Sequence, residues 1–398
     1  MFEDLEAVPP DPILGLMAAF RADPDPRKVD LGIGVYRDER GHTPIPAAVR
    51  EAEAALLARE TTKSYVGPAG SPEFNQALEQ LTLGASHAAL GAGRVRSLQT
   101  PGGCGALRLG AELIRVAAPD TVVHVSTPTW ANHVPLLAGS GLRLERYPYF
   151  DAATGGVQFA AMTAALERLP ARAVVLLHAS CHNPTGADLS QDEWRELLAL
   201  LKRRQLVPFI DMAYQGLGAG LEADAFALRL LAAELPEVLC AVSCSKNFGI
   251  YRERTGALQL ISASPAAAAA AASQLVRIAR GLWSMPPDHG AAIVQAILGD
   301  AALRQQWSAE VDGMRERIQR LRREVVQQLH RHCPQRDFGF IARQHGMFSF
   351  LGIDADQVRA LRERHHVYMT DDSRMNIAGL RSGNLEYFAR AVAAVLAG

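Results

Sequence analysis

A lysine at the end of a buried strand is the residue of this sequence best placed to do unusual chemistry. Lys246 follows the apolar run 238–242, which is typical of a buried strand, and is flanked by Ser243, Cys244 and Ser245. Removing an ammonium group from water costs free energy, so a lysine in such a place is rarely structural. An amine that forms a Schiff base with a carbonyl compound gives up the full ammonium charge and creates an electrophile. The position therefore indicates a lysine that acts covalently.

The residues around this lysine are of the types that bind a phosphate. Ser243 and Ser245 offer hydroxyl groups, and Arg254 follows shortly after them in the sequence. An arginine guanidinium pairs with a phosphate through two parallel hydrogen bonds. A carbonyl for the lysine and a phosphate for the hydroxyls and the arginine occur together in pyridoxal phosphate (PLP). The segment predicts PLP as the cofactor.

Two further strand ends carry polar side chains that fit such a cofactor. Asp211 follows the run 207–210, and Asn183 lies in the turn segment 182–186. An aspartate at this point is usually a helix N-cap or a turn residue. The functional alternative is an ion pair with a protonated pyridine nitrogen, which keeps the ring cationic and electron-withdrawing. The amide of Asn183 and the hydroxyl of Tyr214 are then candidates to bind the phenolic oxygen of the ring.

A glycine-rich turn at 100–107 leads into a predicted helix that begins near Ala106. Free N–H groups at a helix N-terminus bind phosphate well, although an ordinary strand-to-helix turn has the same sequence character. Trp130 follows another strand-like run. Its ring is either part of the core or a platform for a flat cofactor.

Two arginines, Arg280 and Arg374, lie near predicted helix or strand ends among apolar residues. An isolated arginine is most often a surface charge. In apolar surroundings, however, a guanidinium binds a carboxylate through two hydrogen bonds. Both are therefore candidates to hold the carboxylates of a substrate.

Neither the histidines nor the cysteines predict a metal site. His178 and His182 have no carboxylate or third ligand at a matching spacing. The cysteines are odd in number and form no CxxC pair: Cys104, Cys181, Cys240, Cys244 and Cys333. This pattern argues against a disulfide framework and against zinc, and it fits a reducing cytoplasm.

Composition bounds the class of protein. The chain has 398 residues, 48% hydrophobic and 21% charged, with a net charge of −1. These values are typical of a soluble protein with two domains, and they do not favour binding to nucleic acid or to a membrane surface. The acidic start lacks an apolar stretch, so no signal peptide is predicted and a cytoplasmic location is expected.

Strand-like runs alternate with helical patterns through the middle of the chain, which predicts an α/β fold with a mainly parallel sheet. The strand-like runs are residues 122–125, 173–177, 207–210 and 258–261, and the helical patterns are 188–203 and 221–235. Ser264 and Pro265 predict the start of a helix that continues toward Arg280.

The last part of the sequence has a different character. Apolar residues recur on one helical stripe, which predicts a long helix that links two domains, at Val311, Met314, Ile318, Leu321 and Val325. The apolar segment 347–351 and a closing helix at 384–397 predict a smaller α+β domain. The proline-rich segment 9–12 favours an extended arm.

Taken together, these motifs resemble the class I aspartate/aromatic aminotransferases, which are fold-type-I PLP enzymes. The resemblance spans nearly the whole chain and also includes residues 11–16, 31–36, 61–65 and 346–350. So many ordered motifs at compatible spacing are far more specific than any one of them. The resemblance implies a large domain with a mainly parallel seven-stranded sheet between helices. It also implies a division into an N-terminal arm that contacts the partner subunit (1–12), a small domain (13–44 with 316–398) and a large PLP-binding domain (45–315).

The resemblance implies a role for each candidate residue. Lys246 binds the cofactor covalently and then moves the proton between the substrate and the cofactor. Asp211, supported by His133, pairs with the pyridine nitrogen. Asn183 and Tyr214 bind the ring oxygen. The catalytic residues implied are Lys246, Asp211 and Tyr214.

Other residues are implied to hold the cofactor or the substrate. Trp130 stacks on the ring, and Tyr65 reaches the phosphate of the neighbouring subunit, so the active unit is a homodimer. Gly34 closes over the substrate. The phosphate is implied to lie in a cup formed by Gly103, Cys104, Ser243, Ser245 and Arg254. The implied substrate-binding residues are Gly34, Trp130, Asn183, Arg374 for the α-carboxylate and, from across the interface, Arg280 for a distal carboxylate.

The implied reaction transfers the amino group of an L-amino acid to 2-oxoglutarate in ping-pong fashion, through pyridoxamine phosphate. Cys104 stands where the family usually has Thr or Ser. Met285 and Ser64 depart from the aspartate-selective pattern, whereas Val35 and Thr43 match it. An adaptable apolar side chain such as methionine favours a less polar substrate pocket. The middle segments 149–159 and 218–225 are similar to the aromatic branch. We therefore expect an aromatic-amino-acid aminotransferase that also accepts dicarboxylates.

Three alternatives remain open from the sequence. The first is an aspartate aminotransferase, which differs only in its substrate. The second is a PLP β-lyase or decarboxylase, against which the two arginines Arg280 and Arg374 speak, because paired carboxylate anchors suit transamination of glutamate. The third, a regulator on a PLP-binding fold, is disfavoured, because it would need a fused DNA-binding segment and the family pattern already covers nearly all of the 398 residues. The preferred amino donor and the pathway are not determined by these motifs.

Overall fold

The computed structural model describes residues 1–7 and 12–397. The strands are β1 Val29–Asp30, β2 Val95–Pro101, β3 Val122–Thr127, β4 Arg143–Pro148, β5 Phe150–Asp151, β6 Gly156–Val157, β7 Val174–His178, β8 Val207–Met212, β9 Val238–Ser243, β10 Thr255–Ile261, β11 Phe348–Phe350, β12 Val367–Tyr368 and β13 Arg374–Asn376. The α-helices are α1 Pro12–Ala22, α2 Ala47–Arg59, α3 Pro72–Leu83, α4 Ala88–Gly91, α5 Gly102–Ala117, α6 His133–Ala138, α7 Phe159–Leu166, α8 Gln191–Arg204, α9 Leu221–Asp224, α10 Phe226–Glu234, α11 Pro265–Leu282, α12 His289–Gly299, α13 Ala301–His332, α14 Phe340–Arg343, α15 Ala355–His365 and α16 Leu385–Ala397. Short 3-10 turns lie at Phe2–Asp4 and Ile377–Gly379.

A seven-stranded sheet forms the centre of the fold, in the order β2-β10-β9-β8-β7-β3-β4. The strands from β9 to β4 run parallel, and β10 is antiparallel to both of its neighbours. The prediction of an α/β fold with a mainly parallel seven-stranded sheet is confirmed. The run 258–261 belongs to the antiparallel strand, a reversal that its apolar pattern alone does not reveal.

Core residues cover both faces of the central sheet. Successive side chains of a strand point to opposite faces, so neighbouring residues belong to different clusters. On β7, Val174 and Leu176 belong to one core cluster, whereas Val175 and Leu177 belong to the other. This two-sided burial explains why the parallel strands are continuous apolar runs rather than alternating ones.

The structure confirms the helix predicted from its N-cap at Ser264 and the helix predicted from its apolar stripe. The side chain of Ser264 accepts a hydrogen bond from the N–H of Ala267 at 3.2 Å and begins α11. The predicted apolar stripe lies on α13, a helix of 32 residues that packs against α2, α12 and α16. The segment 347–351 supplies β11, which pairs with β13 in a separate two-stranded sheet. The predicted arm at 9–12 lies almost entirely outside the described residues, and α1 begins at Pro12.

The topology decides where the polar strand ends meet. Because β3, β7, β8 and β9 are parallel neighbours, the loops that follow them leave from one edge of the sheet. Ligands of such folds bind outside the carboxyl ends of the strands. Within the described residues, no helix combines the length and the apolar character needed to cross a membrane.

Candidate active site

A cavity of about 210 Å³ opens at this edge of the sheet. It brings together most of the residues that the sequence singled out: Gly34, Gly103, Cys104, Trp130, Asn183, Asp211, Tyr214, Ser243, Ser245, Lys246, Arg254 and Arg374. These residues come from segments separated by up to hundreds of positions, so their convergence is a property of the fold.

The floor of the cavity holds a buried carboxylate. Asp211 lies within β8, opposite His178 of β7 and Ala241 of β9, so the alternative that it caps a helix is wrong. Its Oδ2 atom is 2.9 Å from Nε2 of His133. Burial alone would raise the pKa of Asp211, but the hydrogen bond and charge of His133 hold it below the ordinary value. The carboxylate therefore carries its negative charge at neutral pH.

His133 is itself held from two sides. Its Nδ1 atom is 2.8 Å from the hydroxyl of Thr129, and its ring meets the edge of Trp130 with ring centres 5.2 Å apart. A hydroxyl can donate or accept, so Thr129 can serve either tautomer of the ring. The contacts fix the direction in which His133 presents Nε2 to Asp211.

The structure corrects the argument that the histidines lack a third ligand. His178 is joined in space by His133 and Asp211, and one ligand atom of each lies within 4.8 Å of the others. The sequence spacing hid this cluster because its members come from three separate elements, α6, β7 and β8. Asp211 already accepts the hydrogen bond of His133 within it. The prediction that the protein uses no metal stays a prediction.

Lys246 extends into the cavity from the loop after β9. Its Nζ atom is 4.8 Å from the ring centre of Tyr214. Burial lowers the pKa of Lys246, although the negative charge of Asp211 acts in the opposite direction. A lower pKa increases the fraction of the lysine that is present as the neutral amine. A neutral amine is the form that attacks a carbonyl carbon and accepts a proton.

Asn183 and Tyr214 form one side of the cavity. The amide nitrogen of Asn183 is 3.4 Å from the hydroxyl of Tyr214. Burial, helped by the negative charge of Asp211, raises the pKa of Tyr214, so its hydroxyl stays protonated and can donate a hydrogen bond. The amide oxygen of Asn183 is buried and finds no hydrogen-bond partner among the described residues.

The far end of the cavity is built for an anion. Helix α5 begins at Gly102, and a Cβ atom on Gly103 would lie 3.1 Å from the Cβ of Ser243. The absence of a side chain there leaves the N–H groups of the first helical turn accessible. Arg254 donates from Nη1 to the hydroxyl of Ser245 at 3.4 Å. Free N–H groups, hydroxyls and a guanidinium are the donors that a phosphate requires.

Arg374 forms the opposite wall. Arg374 is buried, with 6% of its surface exposed. Its Nη2 atom donates a hydrogen bond to the carbonyl of Gly32 at 2.8 Å, and its guanidinium carbon lies 4.7 Å from the ring centre of Phe348. Its Nε atom is buried without a partner within the described part of the chain. A guanidinium with unused donors beside an apolar ring is suited to bind a carboxylate.

Gly34 is required by this same packing. A Cβ atom at this position would lie 2.9 Å from the ring of Phe348, closer than such contacts occur. Any larger residue would force the ring of Phe348 to shift. Gly34 therefore helps to shape the wall next to Arg374.

Two predicted residues are not brought to the cavity of the single chain. Tyr65 is 94% exposed, and Arg280 is an exposed residue that contacts the hydroxyl of Ser284. Both were predicted to act in the site of a partner subunit, and that role stays a prediction. Ser64 and Met285 likewise lie outside the cavity lining.

Four further residues line the cavity without having been predicted from the sequence: Ile13, Leu107, Ala213 and Phe348. Ala213 and Leu107 lie close in sequence to Tyr214 and Cys104, and this proximity was an available signal. Ile13 and Phe348 come from α1 and β11, and their approach to the cavity depends on tertiary packing.

The fold and the cavity define a class of PLP-dependent enzyme in which a lysine, a buried aspartate and a phosphate cup converge at the carboxyl edge of a parallel sheet. The cavity fits the cofactor, because Asp211 offers a charge for the ring nitrogen, Asn183 and Tyr214 offer an N–H and an O–H donor for the ring oxygen, and α5 offers an anion site. The chain matches the family described as aminotransferase class I and II over residues 26–392. It belongs to this family and is a PLP-dependent transaminase.

Relatives and solved structures match along the full length. The chain is 49% identical to an aromatic-amino-acid aminotransferase of Pseudomonas aeruginosa, covering 100% of this chain and 99% of the relative. It is 45% identical to an aspartate aminotransferase of Salmonella typhi, with 100% of both chains covered. The crystal structure of an aromatic-amino-acid aminotransferase from Burkholderia pseudomallei, covalently bound to pyridoxal phosphate, matches with a TM-score of 0.97 at 44% identity, covering 100% of this chain and 99% of that one.

Proposed function

We propose that this transaminase uses aromatic L-amino acids as amino donors, accepts dicarboxylic ones as well, and transfers the amino group to 2-oxoglutarate. The observation that carries the proposal is a second cavity of about 540 Å³, which adjoins the first and shares Ile13, Asn183 and Arg374 with it. Leu16 and Met369 are among the apolar residues that line this second cavity. Apolar walls beside a carboxylate-binding arginine suit an amino acid with a large apolar side chain.

The relatives support both parts of the proposal. Relatives of similar identity carry the names aromatic-amino-acid aminotransferase and aspartate aminotransferase, at 49% and 45% identity respectively. Their names alone do not separate the two preferences. The apolar lining of the second cavity favours the aromatic donor.

When bound, PLP supplies an electron sink that withdraws electrons from the substrate α-carbon. We assign the proton-moving role to Nζ of Lys246, whose lowered pKa favours the basic form. Asp211 provides a fixed negative charge for the ring nitrogen, and Tyr214 and Asn183 provide hydrogen bonds for the ring oxygen. Arg374 binds the α-carboxylate and so orients the α-carbon toward the lysine.

The phosphate cup and the ring platform complete the assignment. We propose that the phosphate is held by the N-terminal turn of α5 at Gly103 and Cys104, with the remaining donors being Ser243, Ser245 and Arg254. Trp130 lines the cavity and is held edge-on by His133, so it can serve as the platform for the ring.

We further propose a homodimer in the cytoplasm. Large apolar side chains are exposed on the single chain, among them Phe2, Leu5 and Leu57. Exposed apolar side chains of this size are typical of a surface that another subunit covers. In such a dimer Tyr65 would reach the partner's phosphate and Arg280 the partner's distal substrate carboxylate. The small domain, 13–44 with 316–398, would carry Gly34 and Arg374 over the large domain at 45–315, and the arm at 1–12 would contact the partner.

A panel of amino donors tests the proposal. We expect phenylalanine, tyrosine or tryptophan to give the highest kcat/KM with 2-oxoglutarate, and aspartate to be measurable but lower. If aspartate exceeds every aromatic donor by orders of magnitude, the protein is an aspartate aminotransferase instead. Formation of pyruvate and ammonia, or of carbon dioxide, without amino transfer would indicate a β-lyase or a decarboxylase.

A further inference from the structure

The five cysteines differ in how reactive they can be. Four of them, Cys181, Cys240, Cys244 and Cys333, are buried. Burial raises the pKa of all four thiols, that of Cys244 to about 12. Since the thiolate is the reacting form, we expect these four to react far more slowly in the folded protein than an exposed thiol.

Cys104 is the exception. It is only partly buried and lines the cavity that also contains Lys246 and Arg254. It lies in the first turn of α5, a helix of 16 residues, and its sulfur is 3.9 Å from the amide nitrogen of Asn132. The sulfur of Cys104 therefore lies at a helix N-terminus and on the wall of an open cavity, where a small reagent can reach it.

The cavity is a ligand site on grounds that do not involve the thiol. Asn183 lines the cavity and is only 5% exposed, and its amide oxygen has no hydrogen-bond partner among the described residues. A solved relative is covalently bound to PLP. With the phosphate at Gly103 and Cys104 as proposed above, the cofactor and an oxidant would compete for the same space near Cys104.

We propose that Cys104 is a covalent modification site for peroxide and for soft electrophiles, open in the cofactor-free protein and covered by the cofactor's phosphate in the loaded protein. This inference rests on the placement of the phosphate at Gly103 and Cys104 proposed above. Its consequence is that oxidation of one thiol controls whether PLP can be loaded.

The chemistry needs hydrogen peroxide as the oxidant. The Cys104 thiolate attacks one peroxide oxygen, an S–O bond forms, the O–O bond breaks and hydroxide leaves. The sulfur is oxidised by two electrons to the sulfenic acid, and the peroxide is reduced by two. The added oxygen occupies space that the phosphate requires. A dithiol such as dithiothreitol returns the sulfenic acid to the thiol, with release of water and formation of its own disulfide.

Labelling of the full-length protein tests the proposal. Cofactor-free and PLP-loaded protein are treated with iodoacetamide, and each cysteine is quantified by peptide mass spectrometry. We expect Cys104 to be labelled at least about tenfold faster without PLP, and the four buried cysteines to react only after unfolding. Inorganic phosphate should protect Cys104 as well, whereas pyridoxal without a phosphate should protect it less. Equal protection by pyridoxal and PLP would overturn the placement of the phosphate.

A titration of PLP after peroxide treatment provides the second readout, because it needs no turnover. Peroxide should weaken PLP binding to the wild-type protein, and dithiothreitol should restore it. Cys104→Ser should bind PLP equally before and after peroxide, whereas Cys333→Ser should respond like the wild type. Loss of PLP binding after peroxide in Cys104→Ser, or equal labelling of Cys104 with and without PLP, would overturn the proposal. Both outcomes are independent of the substrate panel, which tests the donor preference alone.

Discussion

His133 and Asp211 lie 78 positions apart in the sequence, yet Nε2 of the histidine is 2.9 Å from Oδ2 of the carboxylate. Both side chains are buried, with the histidine at 0% exposure. A buried carboxylate would ordinarily take up a proton more readily, because burial disfavours its charge. The hydrogen bond and the charge of His133 reverse that tendency, and the pKa of Asp211 falls below its ordinary value. His133 thus acts on the reaction through Asp211, as a positioning residue.

Replacement of His133 should therefore shift a pH profile. In His133→Asn, Asp211 loses a partner that favours its charged form, so its pKa rises. Activity that needs the carboxylate is then lost at a higher pH as the solution is acidified. We expect the acidic limb of kcat/KM against pH to move upward relative to the wild type.

The control for this prediction is His289→Asn, at an exposed position outside the cavity lining. It should leave the acidic limb in place. If His133→Asn lowers kcat and thermal stability but leaves the acidic limb unchanged, the histidine has only a structural role.

The buried His182 predicts how stability depends on pH. Its ring nitrogens contact the hydroxyls of Ser126 at 3.1 Å and Thr185 at 2.9 Å, and burial lowers its pKa well below the ordinary value. Between that lowered pKa and about 6.5, the unfolded chain binds a proton that the folded chain does not. The contribution to stability is complete above about pH 6.5 and is lost as the pH falls below it.

Urea unfolding at several pH values between 7 and 5 measures this effect. The free energy of unfolding should fall by up to about 1.4 kcal/mol per pH unit for this histidine. His182→Gln should show a flatter dependence than the wild type, whereas His42→Gln, at an exposed position, should not. A dependence that is the same in His182→Gln and in the wild type would contradict the assignment.

Arg322 is the clearest structural residue of the second half of the chain. It is 1% exposed and donates hydrogen bonds to the carbonyls of Ile341 at 2.8 Å and Phe348 at 2.6 Å, and from Nε to that of Gly346 at 3.1 Å. Burial lowers the pKa of Arg322 to about 10, so it remains charged at neutral pH. The guanidinium ties α13 to the segment that presents Phe348 to the cavity.

Arg322→Met should lower the free energy of unfolding by at least about 3 kcal/mol, because several buried carbonyls lose a charged donor. Arg322→Lys keeps the charge but not the planar set of donors, so we expect an intermediate loss. Thermal denaturation measures both. Arg323→Met, at the exposed neighbouring position, should be close to the wild type, and equal melting temperatures for Arg322→Met and Arg323→Met would refute this role.

Much of the site was predictable because it lies at the ends of parallel strands. Lys246, Asp211 and Asn183 each follow or end an apolar run, and parallel strands bring such ends to one edge. The residue types then matched the parts of one cofactor. Strand order did not need to be known for this inference, since only the shared edge mattered.

The other features of the site and the fold depend on tertiary contacts that the spacing of residues in the sequence does not predict. The approach of Phe348 to Gly34 and the cluster of His178 with His133 and Asp211 bring distant segments together. The direction of β10 could not be read from its apolar residues, because a strand buried on both faces has the same pattern in either direction. The end of β8 was also predicted one residue too early to include Asp211, which lies within the strand and does not cap a helix.

Lys246 should be the residue that binds the cofactor covalently, and the composition of the chain makes this prediction easy to test. The sequence contains four lysines: Lys28, Lys63, Lys202 and Lys246. Borohydride reduction makes the bond between PLP and its lysine permanent, and peptide mass spectrometry then locates the added mass. We predict that the mass is found on Lys246 alone, and that Lys246→Ala takes up none while Lys63→Ala is labelled like the wild type. Labelling of Lys28, Lys63 or Lys202 in place of Lys246, or full labelling of Lys246→Ala, would contradict the account.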